Sequence, residues 1–443
     1  MPVVDLPRRW RWAIALACAV VLGLALLFVA SARHAAEVAP VVPGVQAPVA
    51  AVTADEPVPE AVATAASASH GADAVQVCGG AWVKTQADGS LDPAEFERAT
   101  QLPQARERIL AKLRASPNEL ARASIWLLAM LGADRQRRLA APTGAPDCEG
   151  AGCAASPEAM SEVAQARDAL ARLAVSTSDP RVYALAFKFC GGNSNKAGEG
   201  ACRMLSAEQW AHLDPGNAAP WLFMLSSAKA HDDRAVQDEV LFRIASARRS
   251  DVGFFAVAGA ILEATPDDDP SQLAAFAMVT EAIGMEAAVA LPAMQPMTSA
   301  CRGSALRDAN RAQVCAGIAE LLADRSDTLL ERMIGVAIGR QIGWPAERVD
   351  RMRGEYSAYA NGMSPLESEV KDFGCAPIRR DLDRVRRQAT LGEAGALRAW
   401  VAASGKRPED FVREERSRQQ LARASEEAAA ASAAASAALI AAR

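Results

Sequence analysis

Apolar residues recur at helical spacing along most of the chain. Between positions 160 and 173 they stand three or four residues apart, and the same spacing returns between positions 236 and 244. This spacing places apolar side chains on one face of an α-helix, whereas a half-buried strand alternates apolar and polar residues. The segment 329–338 is apolar on most sides, which predicts a helix at the centre of the fold. The pattern therefore predicts an all-α protein.

Short breaks separate the helical segments. Pro, Gly, Asn and Asp cluster at Asp179-Pro180, at Asp214–Asn217, at Thr265-Pro266 and at Gly343–Pro345. Such residues cap or end helices, and a short turn makes the two flanking helices antiparallel neighbours. We therefore predict helical hairpins packed as an irregular, repeat-like array, either a solenoid or a bundle.

The N-terminal region contains a long uncharged apolar run. It extends from Ala13 to Ala30, which is about 27 Å of helix and close to the thickness of the apolar part of a membrane. Three arginines precede the run, and Arg33 is the only Lys or Arg between the run and Lys84. Because positive charge favours the cytoplasmic side, we predict a signal anchor. Residues 1–12 are then cytoplasmic, 13–30 form one transmembrane helix of the inner membrane, and the bulk of the chain is extracytoplasmic, in the periplasm.

Residues 30–32, Ala-Ser-Ala, are also typical of a signal-peptidase site, so a cleaved signal peptide is one alternative and a buried soluble helix is another. Composition predicts the remaining organisation. Residues 31–74 are rich in Ala, Pro and Val and indicate an extended tether. Residues 75–405 carry the helical pattern and are the predicted ectodomain, and residues 406–443 are an Ala-rich C-terminal helix or tail.

Charge excludes nucleic acid as a partner. The chain has a net charge of −5, and its first twelve residues contribute three Arg and one Asp, so the remainder carries −7. A nucleic-acid-binding protein normally presents a basic face. The densest group of arginines, at 379–387, is interrupted by Asp381 and Asp383 and is typical of a solvated helix face.

Eight of the nine cysteines follow the apolar run. They are Cys78, Cys148, Cys153, Cys190, Cys202, Cys301, Cys315 and Cys375. An even number in an oxidising compartment indicates disulfides, and spacing can only rank the possible pairings. Local pairing gives 148–153, 190–202 and 301–315, and it leaves Cys78 with Cys375, which would join the two ends of the ectodomain. Reduced cysteines in a metal or redox site are the alternative, but Cys-x2-Cys and zinc-ligand spacings are absent from the sequence.

Two other stretches contain candidate chemistry. The segment from Lys84 to Glu95 has the layout of a calcium loop, but Lys84 stands where the metal needs a carboxylate, so a turn before a helix is favoured. His212 lies beside Asp214, but no motif places a nucleophile near them. We predict no catalytic, cofactor-binding or metal-binding residues and no cofactor, and an enzyme is the less favoured class.

The stretch "LDPGNAAPW" resembles tetratricopeptide repeats, in which a Pro-containing turn leads into a helix that opens with Trp. That family has the pattern W-x2-L-G-x2-Y at a period of about 34 residues. Here the Leu and Gly places after Trp221 hold Met224 and Leu225, and the next Trp place holds Phe255. The resemblance covers about residues 187–262 and implies a degenerate array of helical hairpins.

The segments "CGGAWVK", "WAHLDPGNAAPWL" and "IGWPAERV" also give the chain a general resemblance to uncharacterised, membrane-anchored, cysteine-containing helical proteins of bacteria. That resemblance implies no activity.

These observations favour a membrane-anchored extracytoplasmic protein that acts through contacts with an envelope protein partner. Two alternatives stay open, namely a cell-envelope enzyme with a carboxylate site that sequence does not show, and a small-ligand binder in a groove between helices. Buried carboxylates that converge on a pocket would favour the enzyme, and an apolar groove would favour the binder.

Overall fold

The computed structural model describes most of the chain after position 73. The described residues are 74–85, 93–140, 157–191, 199–289, 292, 294–362, 374–407, 409–411, 413, 414, 417, 420, 421, 423 and 424. They belong to one compact unit, Ser69–Arg443. The predicted span 13–30, most of the tether 31–74, the centre of the calcium-like loop, Cys148 and Cys153 lie outside the described residues.

Helices dominate the described part of the chain, and the all-α prediction is confirmed. The fifteen α-helices are α1 Pro93–Ala99, α2 Leu102–Ala115, α3 Glu119–Ala140, α4 Pro157–Ser176, α5 Pro180–Phe189, α6 Ala207–Leu213, α7 Ala219–Ala230, α8 Arg234–Ser246, α9 Ala256–Ala264, α10 Asp269–Val289, α11 Gln295–Ala300, α12 Ala309–Arg325, α13 Leu329–Gln341, α14 Ala346–Gly362 and α15 Cys375–Ser404. Two 3-10 turns, Gly200–Met204 and Gly303–Arg307, lie between helices. A small antiparallel hairpin, β1 Ala74–Gln76 and β2 Trp82–Lys84, pairs Val75 with Val83.

Capping side chains explain where several helices begin. Asp179 accepts a hydrogen bond from the Arg181 amide, and Pro180 occupies the first helical position, where its missing N–H costs nothing. Ser206 caps α6 in the same way. The sequence predicts a helix over 202–213, but the regular helix begins only after Ser206 because its hydroxyl and extended backbone start a new helix there.

The largest apolar cluster is built around α9 and α10. These two helices pack on each other, on α2, α3 and α15, and the cluster extends to α4, α5 and Trp210 of α6. Among the described residues, α10 is the one helix long and apolar enough to cross a membrane by length and composition. Its place between α2, α9 and α15 accounts for that composition, because an interior helix is apolar on several sides.

A second apolar cluster joins α7, α8, α12 and α13. Two different sides of α7 contribute to the two clusters, since Phe223 packs in the first and Leu222 in the second. In α8 the predicted stripe is buried at Val240, Leu241 and Ile244, whereas its first member, Val236, is 41% exposed. The two tryptophans on either side of the Asp214–Asn217 turn therefore belong to different clusters, Trp210 to the first and Trp221 to the rim of the second.

Helix α13 is not central, contrary to the prediction from its all-round apolar sequence. Leu330 is 42% exposed and Met333 is 37% exposed. The helix packs on α12 through Gly335, where the backbones approach so closely that a Cβ would lie 2.5 Å from the Ala323 amide nitrogen. That face and the α14 side are covered, and Leu329 packs on α15, but part of the apolar surface of α13 faces solvent.

In the part of the chain that the structure describes, three cysteine pairs lie at disulfide distance. They are Cys78–Cys375, Cys190–Cys202 and Cys301–Cys315. The first joins the β-hairpin to the start of α15, 297 residues further along the chain. Such bonds persist in oxidising compartments and are rare in the cytosol, so the pairs fit an oxidising location.

Candidate functional site

Four segments that are distant in sequence lie side by side and form what we call the loop ladder. Its segments are 216–218, 249–251, 325–327 and 392–394. The Ala218 amide donates to the Arg249 carbonyl at 2.8 Å. The Ser250 amide donates to the Arg325 carbonyl at 3.1 Å, and the Asp327 amide donates to the Ser250 carbonyl at 3.0 Å. The ladder therefore connects the turns that precede α7, α9 and α13.

Asn217 braces the first two segments of the ladder. Its amide nitrogen donates to the Asp251 carbonyl at 2.7 Å and to the Asp214 carboxylate at 3.0 Å. Its amide oxygen accepts from the backbone N–H groups of Ala219 and Asp251. Arg249 completes the joint, because its guanidinium contacts both Asp214 carboxylate oxygens at 2.8 Å. The Asp-Pro-Gly-Asn turn is thus a structural joint.

The fourth segment of the ladder is a break within α15. Gly392 has φ +69°, a left-handed conformation that favours glycine, and a Cβ on it would lie 3.1 Å from the Asp327 Cβ. The Ala394 amide donates to the Asp327 carbonyl at 3.2 Å, and Glu393 accepts from the Leu329 amide at 2.8 Å. Gly392 therefore lets the backbone of α15 approach the loop that carries Asp327.

The ladder brings two aspartates together. Arg-Ser-Asp occurs at 249–251 and again at 325–327, and pairing of the two loops places Asp251 and Asp327 as neighbours. The two carboxyl groups lie close enough for the negative charge of one to act on the other. Burial raises the pKa of Asp327 well above its ordinary value, and the negative charges of Asp251 and Glu331 raise it further. Asp327 therefore keeps its proton at pH values where an isolated aspartate is already ionised.

Glu331 lies directly behind the pair and is completely buried. Its carboxylate accepts hydrogen bonds from the Ser250 hydroxyl at 2.8 Å and from the Thr328 hydroxyl at 3.2 Å. Burial raises the pKa of Glu331 to about 7, although these two hydrogen bonds oppose the shift. Because Ser250 belongs to one Arg-Ser-Asp loop and Thr328 follows the other, Glu331 ties the two loops together.

A buried cation and a buried carboxyl group flank the same loop. The Lys188 ammonium donates to the Val252 carbonyl at 2.6 Å, and burial lowers the pKa of Lys188. Glu286 accepts from the Val257 amide at 3.3 Å, at the start of α9. Burial raises the pKa of Glu286 to about 7, while Lys188 holds it down. Within the described residues, the second carboxylate oxygen of Glu286 is buried without a partner.

The loop between these groups has an unusual backbone. Phe255 has φ +68°, a left-handed conformation that is uncommon for a bulky residue, and Gly253 has φ +65°. The Phe254 and Phe255 rings lie 4.3 Å apart. Such conformations persist only where the surroundings impose them, and they concentrate at functional sites. Here Lys188 holds the loop through the Val252 carbonyl, and Glu286 holds it through the Val257 amide.

These elements line one cleft of about 760 Å³. Its walls include Asp251, Asp327, Phe254 and the α15 residues Gln388 and Gly392. Gln388 is 1% exposed, and its side-chain nitrogen has no hydrogen-bond partner among the described residues. Buried donors are nearly always paired, so an unpaired one in the wall of a polar cleft indicates a place for a ligand or a water molecule.

The residues that the sequence singled out lie elsewhere. His212 is exposed on α6, and its neighbour Asp214 is held by Asn217 and Arg249. The candidate disulfide cysteines are in the three pairs above or, for Cys148 and Cys153, outside the described residues. Sequence reasoning missed Asp251, Asp327, Glu331 and Glu286. The repeated Arg-Ser-Asp tripeptide was the one available signal for the first two.

Comparison with protein-family models, with curated proteins and with solved structures finds no match to this chain.

Proposed function

We propose that the protein is an extracytoplasmic hydrolase that cleaves amide bonds of peptides, with Asp251 and Asp327 as its acid–base pair. The observation that carries the proposal is the close approach of these two carboxyl groups in the wall of a large cleft, where the pairing of Ser250 with Ser326 makes them neighbours. Carboxyl groups with displaced pKa values in a cleft are typical of catalytic sites. The sequence left open an enzyme with a carboxylate site, and buried carboxylates beside a pocket are the feature expected to favour it.

The spacing of the two carboxyl groups favours one class of hydrolysis. In glycoside hydrolases the two carboxyl groups stand roughly 5 to 9.5 Å apart, with a sugar bond between them. Two carboxyl groups close enough that the charge of one raises the pKa of the other, as the charge of Asp251 does for Asp327, can instead share one proton, as in the acid dyads that hydrolyse peptides. This proximity is therefore better suited to activating one water molecule than to flanking a sugar ring.

The reaction needs one water molecule and no other reactant. The Asp251 carboxylate takes a proton from the water, whose oxygen forms a bond to the amide carbon. The protonated Asp327 gives its proton to the carbonyl oxygen, which produces a tetrahedral diol. When the C–N bond breaks, its electron pair stays on nitrogen, nitrogen takes the proton held by Asp251, and Asp327 recovers the proton of the second hydroxyl group.

Location and partner complete the proposal. The disulfide pairs support an oxidising compartment, and the apolar run 13–30 with its preceding arginines supports a single anchor in the inner membrane. The predicted envelope protein partner then becomes the substrate. The contact role, the membrane topology and the tetratricopeptide-like repeat remain predictions.

A peptide library tests the activity. The full-length protein is incubated with the library between pH 3.5 and 7.5, and new termini are identified by mass spectrometry. We expect cleavage by the parent protein and a loss of about 1,000-fold in kcat/KM for Asp251→Asn and for Asp327→Asn. Asp267→Asn changes an exposed aspartate before α10 and is the control that keeps full activity.

Two results count against the proposal. One is the absence of any cleavage by a folded parent protein across this pH range. The other is cleavage that survives in Asp327→Asn, since the two aspartates then have only a structural role in the pairing of the two loops. Circular dichroism of each variant separates loss of chemistry from loss of fold.

A further inference from the structure

A second concavity lies between α13 and α14, and its lining is apolar with arginines, unlike the carboxyl groups of the cleft. We call it the α13–α14 groove, and its volume is about 360 Å³. On α13 its lining residues are Leu329, Arg332, Met333, Val336, Ala337 and Arg340. These positions are spaced by three or four residues and form one helical stripe, with an arginine near each end and apolar side chains between them.

Helix α14 supplies the facing wall. Val349, Met352 and Tyr356 continue the apolar surface, and Arg353 and Glu355 supply charge. Tyr356 is exposed, as is Met333 across the groove. Methionine side chains are flexible and adapt to the shape of an apolar ligand. The groove therefore offers an apolar floor open to solvent.

The charges of the groove do not cancel. Arg332 forms an ion pair with Glu355 through one of its terminal nitrogens. Among the described residues, Arg340 and Arg353 have no ion pair, and both are exposed. Three arginines against one glutamate leave a surplus of two positive charges around an apolar floor.

One buried donor at the groove also lacks a partner. The Nε of Arg332 is buried and has no hydrogen-bond partner among the described residues. Burial lowers the pKa of Arg398, on α15, and the nearby positive charge of Arg332 lowers it further, while Glu355 raises it.

We propose that the α13–α14 groove binds a long-chain fatty acid, with the acyl chain on the methionine-rich floor and the carboxylate held by arginine. The unpaired guanidinium groups are complementary to a carboxylate, which arginine can bind through two parallel hydrogen bonds. The volume lies near the lower limit of small-ligand sites, about 300 to 1,000 Å³, and is too small to enclose a helix about 10 Å across. A single acyl chain therefore fits the groove better than a partner helix does.

Photo-crosslinking tests this site in the full-length protein. The protein, in phosphatidylcholine nanodiscs, is irradiated with hexadecanoate that carries a diazirine near the end of its chain, and labelled peptides are identified by mass spectrometry. We expect label on peptides from 329–356, competed by hexadecanoate at least tenfold better than by hexadecanol. Arg340→Gln/Arg353→Gln should reduce labelling at least fivefold, whereas Arg351→Gln, an exposed position of α14 outside the groove, should not.

The proposal is overturned by label confined to other parts of the chain. It is also overturned if hexadecanol competes as well as hexadecanoate, because the arginines then contribute nothing. Should the double arginine variant lose its helical content, Met333→Glu provides a second test, since a carboxylate on the floor repels the ligand without removing an arginine. Unchanged labelling of a folded Met333→Glu variant contradicts the assignment.

Discussion

The cleft at the loop ladder and the α13–α14 groove differ in how the chain builds them. The cleft brings together side chains from turns more than 70 residues apart and fixes them with backbone hydrogen bonds and buried carboxyl groups. The groove is made by two consecutive helices, and its apolar side chains remain partly exposed. Substitutions in the cleft should therefore change the stability of the fold strongly, and substitutions in the groove should change mainly what binds there.

Asn217→Ala is the change that tests the ladder most severely. It removes four hydrogen bonds and leaves buried backbone groups of Ala219 and Asp251 without partners. Each unsatisfied buried group costs about 1 to 3 kcal/mol, so we expect the free energy of unfolding to fall by about 4 kcal/mol. Urea denaturation measures the loss. Asn310→Ala, at an exposed position of α12, is the control and should change stability by less than about 0.5 kcal/mol.

The buried carboxyl groups predict that stability falls as pH rises. Glu331 and Glu286 have folded-state pKa values of about 7, above the ordinary value of 4.5. Between these two values the folded state binds more protons than the unfolded state, so the free energy of unfolding decreases with pH. Each group contributes on the order of 3 kcal/mol, present in full below about pH 4.5 and lost above about pH 7. The lowered pKa of Lys188 acts in the opposite direction, at pH values below 10.5.

Glu331→Gln isolates one of these contributions. Unfolding free energies at pH 4.5 and pH 7.5 should differ by about 3 kcal/mol less in this variant than in the parent. Glu239→Gln changes an exposed glutamate paired with Arg243 and should leave the pH dependence as it is. A parent protein equally stable at both pH values would mean that Glu331 is ionised in the folded state.

Two glycines allow a matched comparison of the regions. Gly392 in the ladder and Gly343 in the turn between α13 and α14 both have positive φ. A Cβ at Gly392 meets Asp327, whereas a Cβ at Gly343 has nothing within 4 Å. Alanine at either position costs about 1 to 2 kcal/mol of backbone strain, and at Gly392 we expect about 1.5 kcal/mol more for displacing Asp327. Equal losses of unfolding free energy on urea denaturation would show that Asp327 moves aside at little energetic cost.

Met333→Gln should have the smallest effect on stability. Met333 is 37% exposed in the open groove, and the polar end of a glutamine can reach solvent there, so less apolar surface is lost from the interior than at a fully buried position. We expect a change of less than about 0.5 kcal/mol in the free energy of unfolding. A loss of 2 kcal/mol or more would show that another part of the chain covers this side chain and that the groove is interior.

Local features of the fold could be predicted from the sequence, and long-range ones could not. The stripe of Val236, Val240, Leu241 and Ile244 predicted three of the four correctly as the buried face of α8, because helical periodicity depends only on neighbours in the chain, whereas Val236 in the first turn is 41% exposed. The same reasoning placed α13 at the centre, since periodicity does not show how many neighbours a helix has. The apolar residues of α13 that remain exposed line the α13–α14 groove.

The candidate site was beyond sequence reasoning for the same reason. Asp251 and Asp327 are each ordinary turn residues in their own segments, and only the pairing of Ser250 with Ser326 makes them neighbours. Glu286 and Lys188 lie on helices where a charged residue predicts solvent exposure. The buried state of both depends on α9 and its preceding loop covering them.

The pH dependence of peptide cleavage is the most direct test of the central claim, that Asp251 and Asp327 act as a pair holding one proton. With the best library substrate, kcat/KM of the full-length protein is measured from pH 3 to 8. We predict a bell-shaped profile, because activity needs one of the two groups protonated and the other ionised. Asp327→Asn should lose about 1,000-fold at the optimum. A rate that rises steadily to pH 8, or an Asp327→Asn variant with the parent profile, would contradict the account.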